Sequence, residues 1–425
     1  MENFTNSGSA KYDYITSESL EKLESNKINL NIEYERIPME DPHNLEGQLA
    51  RLGFINQYLK APTDYISGKK KFDNHEILKG NIENYIGMSQ IPTGIVGPLV
   101  INGTHAQGAF YVPLATTEGA LLASYGRGAK ACRESGFITV ACLQEGVQRC
   151  PFFKFDSIIE AGKFANWALE NQQIFRSITE KASNYAQLKN IEIDIAGNEV
   201  IIKFEYTTGD ASGQNMVTIC THHICHFIIE HCPVKPNFWA IDGNASGDKK
   251  ATALSLAKVR GKKVTAEVVL KREAIMSVLK STPENMAMCA AISANGSIKI
   301  GTLGTGMHPA NGLTALFIAC GQDAACVSEA SAVITNMSLN DNGDLYCSIT
   351  MPNVIVGSVG GGTALPTQKE CLSLIDCYGP GKSTKLAEIC AALCLAGEIS
   401  ILSAMSVGHF ASAHQKLGRK DRSEK

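Results

Sequence analysis

The feature that most constrains the fold is a regular succession of strands and helices between residues 151 and 240. In chain order the predicted elements are a strand at 152–155, an amphipathic helix from 157 to about 182, strands at 191–195 and 200–207, a helix at 213–231 and a strand at 238–241. The segment 191–195 alternates apolar and polar residues, which is typical of a half-buried strand, and a short link makes it a hairpin with its successor. This order, β-α-β-β-α-β, is the ferredoxin-like arrangement.

The residues on either side of this unit are predicted to form one larger domain that the unit interrupts. Segments 81–150 and 241–425 are both rich in Ala, Gly and Val, and a chain of 425 residues has room for two or three domains. The polar stretch 1–80 is predicted to be a helical N-terminal region, with helices near 17–25 and 45–59. The predicted fold class is therefore α+β, with a large α/β domain, an inserted ferredoxin-like domain (151–240) and a helical N-terminal region.

Composition and charge exclude several classes of protein. A net charge of -3 gives no electrostatic basis for binding nucleic acid or an anionic membrane. The start of the chain, 1–17, is polar, so no signal peptide or anchor is predicted. The apolar stretch 389–407 contains Glu398 and is predicted to be a buried helix and not a membrane span. We therefore expect a cytoplasmic protein, with its 14 cysteines reduced and most of them in the core.

The stretch 242–250 places two ammonium groups directly after a carboxylate, in the order Asp248, Lys249, Lys250. The residues before them are small or turn-forming, which permits an irregular backbone and the close approach of a ligand. A lysine held against an aspartate in such a loop stays protonated and can stabilise negative charge that develops on an oxygen. The alternative interpretation is a charged turn exposed to solvent.

Three further polar residues lie in apolar or Gly-rich surroundings. Glu118 precedes a small, apolar helix; it is a candidate acid, or it belongs to the first turn of that helix, where the helix dipole favours a carboxylate. Asp323 follows an apolar run and needs a partner if it is buried, the alternative being a helix-ending turn in water. His414 precedes a charged tail and can titrate near neutral pH, although an ordinary surface histidine is the simpler interpretation.

Two loops are predicted to expose backbone N–H groups. The loop 209–215 leads into a helix and predicts an anion site at the helix N-terminus, with a simple helix cap as the alternative. The loop 357–363 is rich in glycine and is otherwise a wide turn. His222 and His226 have the i, i+4 spacing of a zinc clamp, but no distant set of ligands accompanies them, so no metal site is predicted.

Together these motifs resemble hydroxymethylglutaryl-CoA reductases of the class I form, in a soluble version. The resemblance runs from about residue 83 to residue 419, and the order and spacing of the motifs fit that family. The motifs that carry it are Glu83-Asn84-Tyr85-Ile86-Gly87, Ala115-Thr116-Thr117-Glu118-Gly119, Gly209-Asp210-Ala211, Asp248-Lys249-Lys250, Gly321-Gln322-Asp323-Ala324-Ala325 and Val359-Gly360-Gly361-Gly362-Thr363.

The resemblance implies a reaction and four catalytic residues. Members of the family reduce hydroxymethylglutaryl-CoA to mevalonate and CoA by two hydride transfers from a nicotinamide cofactor, without a metal. By resemblance, Lys249 would stabilise the oxyanion, Glu118 would donate a proton, and Asp323 would hold both in one hydrogen-bonded cluster. His414 would protonate the departing CoA thiolate. Reduction of two successive carbonyl groups requires residues of these types.

The same resemblance implies binding residues and partners. The large domain would bind the substrate through Arg149, Asp248, Lys250 and Asn311. The inserted domain and the glycine loop would bind the cofactor through Asp210, Ala211, Ser212, Gly213, Gln214, Asn215, Asn184, Tyr185, Gly360, Gly361 and Gly362. The cofactor would be NADPH, with NADH possible, and the protein would be a homodimer or tetramer with active sites at the subunit interface.

Some positions depart from the family pattern. Asp242 stands where the family usually has a serine beside the substrate, and an added carboxylate there should weaken the binding of an anion. Asn184 stands where an arginine often meets the 2'-phosphate of NADPH, which weakens the case for NADPH over NADH. Two alternatives follow: a relative that reduces a different acyl-CoA thioester, or a non-catalytic homologue that serves as a binding partner.

Overall fold

The computed structural model describes residues 15–29 and 32–408, and its fold is mixed α/β with a largely antiparallel sheet. The strands within these residues are β1 (Thr93–Gly103), β2 (Gln107–Ala115), β3 (Ile138–Arg149), β4 (Phe152–Lys154), β5 (Gln187–Ala196), β6 (Glu199–Thr207), β7 (Phe238–Ala240), β8 (Gly261–Leu270), β9 (Ile334–Leu339) and β10 (Leu345–Val354). The α-helices are α1 (Ser17–Asn29), α2 (Leu45–Phe54), α3 (Leu121–Ser135), α4 (Ile158–Glu170), α5 (Gln172–Ala182), α6 (Gln214–His231), α7 (Ala253–Ala257), α8 (Arg272–Ala274), α9 (Pro283–Lys299), α10 (Pro309–Ala319), α11 (Val327–Ala330), α12 (Pro366–Leu374) and α13 (Ser383–Ser406).

Strand β3 joins two parts of the sheet. Its first part, from Thr139 to Gly146, pairs with β8, and its last three residues, from Val147 to Arg149, pair with β6. The main path through the sheet is β7-β4-β6-β3-β8-β10-β9, with β5 added beside β6, β1 beside β3 and β2 beside β1. Every pair is antiparallel except β1 with β3. Arg149 therefore ends the one strand that both parts of the sheet share.

The part of the sheet formed by β4 to β7 has the order β7-β4-β6-β5 and its own hydrophobic core. The single helix predicted from 157 to about 182 is wrong, because α4 ends at Glu170 and α5 begins at Gln172. Asn171 separates them, and its side-chain amide donates to the carbonyl oxygen of Trp167 at 2.8 Å. An Asn side chain that bonds to the local backbone competes with a continuous helix, which explains the break.

The larger core surrounds α13, which is buried along most of its length. This helix is long and apolar enough to cross a membrane by composition alone, but 83% of its most apolar window is buried inside the protein. The prediction of a buried helix here is confirmed. All 14 cysteines are free thiols, and most are buried in the two cores, as their apolar neighbours predict.

Two carboxylates inside α13 fasten loops of the large core. Glu388 and Glu398 are both completely buried. Glu388 accepts hydrogen bonds from the backbone N–H groups of His105 and Ala106, at 2.9 and 2.6 Å. Glu398 accepts from the backbone N–H of His308 at 2.5 Å, immediately before α10. Such buried carboxylates are tolerated because backbone N–H groups satisfy them. Glu388 fixes the turn between β1 and β2, and Glu398 fixes the start of α10.

The N-terminal residues contain the two helices that the sequence predicts. Helix α1 covers the region predicted near 17–25, and α2 continues into a π-helical turn, Ile55–Leu59. The rings of Phe54, Tyr58 and Tyr111 pack together, with centroids 5.1 to 6.1 Å apart. Aromatic rings at this separation stabilise each other, so the contact holds α2 against β2 of the large core.

Candidate active site

Lys249 and Asp323 form an ion pair, with Nζ 2.9 Å from Oδ2. Lys249 lies in the loop before α7, and Asp323 follows α10, where its side chain also accepts from the backbone N–H of Ala325 at 3.0 Å. The hydrogen bond to Asp323 raises the pKa of Lys249. Partial burial acts to raise the pKa of Asp323, but the hydrogen bonds from Lys249 and the Ala325 N–H, together with the charge of Lys249, outweigh it and lower that pKa. Both groups are therefore charged at neutral pH.

Two buried residues that the sequence does not single out, Glu329 and Arg260, fix the backbone of Lys249. Lys249 has φ +56, a left-handed conformation that is rare outside glycine. Its N–H donates to Oε1 of Glu329 at 3.2 Å, and Nε of Arg260 lies 2.8 Å from Oε2 of the same carboxylate. Arg260 also bonds Asp248, with Nη2 2.5 Å from Oδ1. No local signal identifies Arg260 or Glu329, because Glu329 lies 80 residues from Lys249 and 69 residues from Arg260 in the chain.

The predicted substrate residue Arg149 already has two carboxylate neighbours. Its Nη1 lies 2.5 Å from Oδ2 of Asp242 and 3.6 Å from Oδ2 of Asp248. Asp242 further accepts from the backbone N–H of Asn244 at 2.7 Å, which fixes its carboxylate in place. The Lys250 ammonium donates to the backbone carbonyl oxygen of Asp248 at 3.0 Å. The Arg149 guanidinium is thus largely neutralised within the chain itself.

Glu118 lies in a turn before α3 and contacts Asn311. Both oxygens of its carboxylate accept from Nδ2 of Asn311, at 3.0 and 2.9 Å. The alternative that Glu118 belongs to the first turn of a helix is wrong, because Ala120 is the N-cap residue and α3 starts after it. Thr116 caps the turn, and its hydroxyl accepts from the Glu118 N–H at 3.0 Å. A carboxylate fixed by one amide and left exposed is available to a ligand.

Two neighbouring cavities contain three of the four predicted catalytic residues. One, of about 370 Å³, is lined by Glu118 and Asn311, and the other, of about 670 Å³, is lined by Lys249 and Asp323. Ile318 of α10 borders both. Among the residues that the structure describes, no hydrogen bond or ion pair joins Glu118 to Lys249 or Asp323. The predicted three-residue cluster is therefore seen here as a pair and a separate carboxylate in adjoining cavities.

The larger of these cavities also brings together most residues predicted to bind the cofactor. It is lined by Ala211, Ser212, Gly213, Gln214 and Asn215 from the start of α6, and by Gly360, Gly361 and Gly362 from the glycine loop. Gly360 and Gly361 have φ of +77 and +53, and a Cβ added to either would meet nothing within 4 Å. The cavity therefore has an open, backbone-lined wall and a helix N-terminus, which suit the phosphates of a dinucleotide.

Three residues predicted to bind the cofactor lie elsewhere. The Asp210 carboxylate accepts from the backbone N–H groups of Gly381 and Ser383, at 2.7 and 3.1 Å, so it caps the start of α13. Asn184 and Tyr185 do not line the cavity, and the Tyr185 side chain is exposed. Asp210 thus links the start of α6 to the large core and does not face the cavity.

The predictions about histidines concern residues outside these two cavities. His414 lies outside the residues that the structure describes. On α6, the Nε2 atoms of His222 and His226 lie 3.1 Å apart at the protein surface. Within residues 15–29 and 32–408 there is no group of three or more potential metal ligands. Neither histidine of the pair lines either of the two cavities.

Comparison with known proteins gives the family of the chain. The family model described as hydroxymethylglutaryl-coenzyme A reductase matches residues 48–419. The chain belongs to this reductase family. A reductase from Methanocaldococcus jannaschii is 43% identical over 352 residues, which cover 82% of this chain and 87% of that protein. One from Aeropyrum pernix is 40% identical over 407 residues, covering 94% and 96%.

Two more distant members of the reductase family extend the comparison. The reductase 2 of Dictyostelium discoideum is 38% identical over 401 residues, covering 90% of this chain and 73% of that protein. A solved structure of the class II reductase from Streptococcus pneumoniae, bound to NADPH, superposes with a TM-score of 0.68 over 85% of this chain and 97% of that chain. At 16% identity this likeness shows that the fold is shared.

Proposed function

We infer that the protein reduces hydroxymethylglutaryl-CoA to mevalonate and free CoA, with NADPH as the hydride donor. Membership of the reductase family over residues 48–419 supports the reaction. The observation that carries the assignment to this site is the Lys249–Asp323 pair, because it lies on the wall of the cavity that the glycine loop and the start of α6 also line. A fixed cation in that position is what reduction of a thioester carbonyl requires.

We propose the following roles for the residues of the two cavities. NADPH would supply hydride in each of the two reductions. Lys249, kept protonated by Asp323, stabilises the negative charge that grows on the carbonyl oxygen. Glu118, oriented by Asn311, delivers a proton to the oxygen from the adjoining cavity. His414 is retained as the proposed acid for the thiolate, by resemblance alone.

We propose that the two hydrophobic cores correspond to two domains. One core is made of residues between Val147 and Cys232, and the other of residues from Val96 to Val140 and from Val264 to Leu402. This division supports a ferredoxin-like cofactor-binding domain at 151–240 inserted into a large substrate-binding domain, 81–150 and 241–425. The strand order β7-β4-β6-β5 supports the ferredoxin-like assignment.

We further propose a homodimer or tetramer located in the cytoplasm. Helix α9 leaves Met288 and Ile292 exposed on one face, together with Ile300 just beyond its end. Exposed apolar residues on one helix face are typical of a surface that another protein covers. Multi-angle light scattering of the purified protein checks the assembly: a mass near twice or four times the 45.7 kDa chain supports it, and a monomer contradicts it.

The Arg149–Asp242 pair favours a second candidate reaction. Asp242 already pairs with the Arg149 guanidinium, with Oδ2 2.5 Å from Nη1. An acyl-CoA without a terminal carboxylate would not have to compete with Asp242 for this cation. The second candidate is therefore reduction of a thioester whose acyl group carries no free carboxylate.

One assay separates these reactions. Oxidation of NADPH and NADH is followed with hydroxymethylglutaryl-CoA and, in parallel, with an acyl-CoA of similar size that lacks the carboxylate. Faster turnover of hydroxymethylglutaryl-CoA with NADPH is the expected result. Turnover of the acyl-CoA without the carboxylate alone would replace the first candidate by the second, and turnover of neither would contradict both.

A further inference from the structure

A chain of alternating charges runs beneath the Lys249 loop, and we name it the charge ladder. Its members are, in spatial order, Asp242, Arg149, Asp248, Arg260 and Glu329. The two members at its inner end are the most buried, because the side chain of Arg260 is 4% exposed and that of Glu329 is 0% exposed. A completely buried carboxylate is costly unless it is paired and hydrogen-bonded, so Glu329 requires the partners it has.

The inner end of the ladder contacts both residues joined by the peptide bond between Asp248 and Lys249. Arg260 fixes the Asp248 carboxylate, and the N–H of that peptide bond, which belongs to Lys249, donates to Glu329. A left-handed conformation at a residue with a side chain persists only where the surroundings over-determine it. Here the φ of +56 at Lys249 is maintained by Glu329 and Arg260 acting together.

We propose that Glu329 is a positioning residue for Lys249. Its two oxygens have separate tasks: Oε2 fixes Arg260, and Oε1 fixes the backbone from which the Lys249 side chain projects toward Asp323. The inference rests on the proposed function only in the role of the Lys249 ammonium. The placement of that ammonium by Glu329 is a statement about the fold.

The contact depends on the ionised form of Glu329, which accepts hydrogen bonds at both oxygens. The groups that face it are Arg260, Asp248 and Lys249 of the loop and Cys326 of the turn before α11. Burial raises the pKa of Glu329 to about 7, against the opposing effect of Arg260. The ionised fraction of Glu329 therefore falls as pH decreases through about 7, and the hydrogen bond that fixes the Lys249 backbone weakens in that range.

The test compares Glu329→Gln with Glu388→Gln in the full-length protein. Both remove the charge of a completely buried glutamate that accepts backbone N–H groups, but Glu388 contacts the turn between β1 and β2. A glutamine has a single acceptor oxygen, so it cannot accept from both Arg260 and the Lys249 N–H, and the joint hold on the loop is lost. The readouts are kcat and KM for hydroxymethylglutaryl-CoA, the pH profile of kcat, and hydrogen exchange at the Lys249 amide.

We expect Glu329→Gln to lower kcat by about 10²-fold with little change in KM, as a misplacement of about 1 Å can do. The Lys249 amide exchanges faster than in the unaltered protein, and the decline of kcat below pH 7 is lost. Glu388→Gln keeps the wild-type kcat per folded molecule, its pH profile and its Lys249 exchange rate, whatever it costs in thermal stability.

The proposal is overturned if Glu329→Gln matches Glu388→Gln in kcat, or if its Lys249 amide exchanges at the wild-type rate. If Glu329→Gln does not fold, Arg260→Lys replaces it, because a lysine cannot bond Glu329 and Asp248 in the same geometry. The same fall in kcat and faster exchange are then expected, and wild-type values refute the idea. If the unaltered protein lacks reductase activity, the proposed function fails while the exchange comparison still decides the positioning role.

Discussion

The two hydrophobic cores of the molecule are built on different principles. In the smaller core, residues of β6 alternate between buried and half-buried, and amphipathic helices cover the sheet. In the larger core, α13 is buried on nearly all sides and carries Glu388 and Glu398 inside it. The smaller core follows local periodicity, whereas the larger one depends on contacts between residues far apart in sequence. Lys249 belongs to a loop that such distant contacts fix.

This difference explains where the candidate catalytic groups lie. Lys249, Asp323, Glu118 and Asn311 all follow or flank elements that pack on the larger core. The smaller part contributes the start of α6 to the cavity wall. Close packing gives fixed side-chain geometry, so a cation and an acid are better placed on the densely packed part.

The largest expected effect comes from adding one methyl group to a helix of each core. A Cβ at Gly128 of α3 would overlap the backbone carbonyl of Ala396 in α13, whereas a Cβ at Gly162 of α4 would meet nothing within 4 Å. We expect Gly128→Ala to reduce the free energy of unfolding by about 3 kcal/mol or more. Gly162→Ala should raise it by about 0.5 to 1 kcal/mol. Thermal or urea unfolding measures both, and equal effects would remove the contrast between the cores.

The next effect concerns the buried charge of the larger core. Burial raises the pKa of Glu398 to about 7, so the folded protein binds a proton there that the unfolded chain releases near 4.5. Stability from this group is therefore greatest at low pH and is lost as pH rises toward 7, by an amount on the order of 3 kcal/mol. Glu398→Gln should be less destabilising at pH 8 than at pH 5 in urea unfolding. A cost that does not vary with pH would contradict the buried-charge interpretation.

The smallest expected effect on stability is at Asp210, which links the start of α6 to the start of α13 in the larger core. Burial acts to raise the pKa of Asp210, but hydrogen bonds from Gly381 and Ser383 outweigh it and lower that pKa. Asp210→Ala should cost about 1 kcal/mol at pH 7, as loss of a helix cap does. The cost should disappear as pH falls through the lowered pKa, because protonation removes the same acceptor. A raised KM for NADPH without any change in stability would instead support the cofactor role that the sequence predicts.

The sequence was most informative where structure follows local pattern. Its alternation located β5 and β6, and apolar content located α13 as a buried helix. The break at Asn171 escaped prediction, because the side-chain bond from Asn171 to the Trp167 carbonyl oxygen cannot be read from the apolar pattern. Local pattern thus identifies elements better than it identifies their ends.

The site was predictable in its residues more than in its geometry. Motif resemblance selected Lys249 and Asp323, which the structure places 2.9 Å apart. It could not show that Asp210 caps α13, because the bond spans more than 170 residues of chain. Arg260 and Glu329 carry no local signal at all, since their importance arises only when the fold brings them beneath Lys249.

The central claim is that the Lys249 ammonium stabilises the oxyanion during the first reduction. The most direct test is a single-turnover measurement of NADPH oxidation by Lys249→Ala with bound hydroxymethylglutaryl-CoA, with equilibrium binding of both ligands measured beside it. We predict a fall of about 10³-fold in the rate, with both ligands still bound and the fold retained. Oxidation at the wild-type rate in this variant would contradict the account.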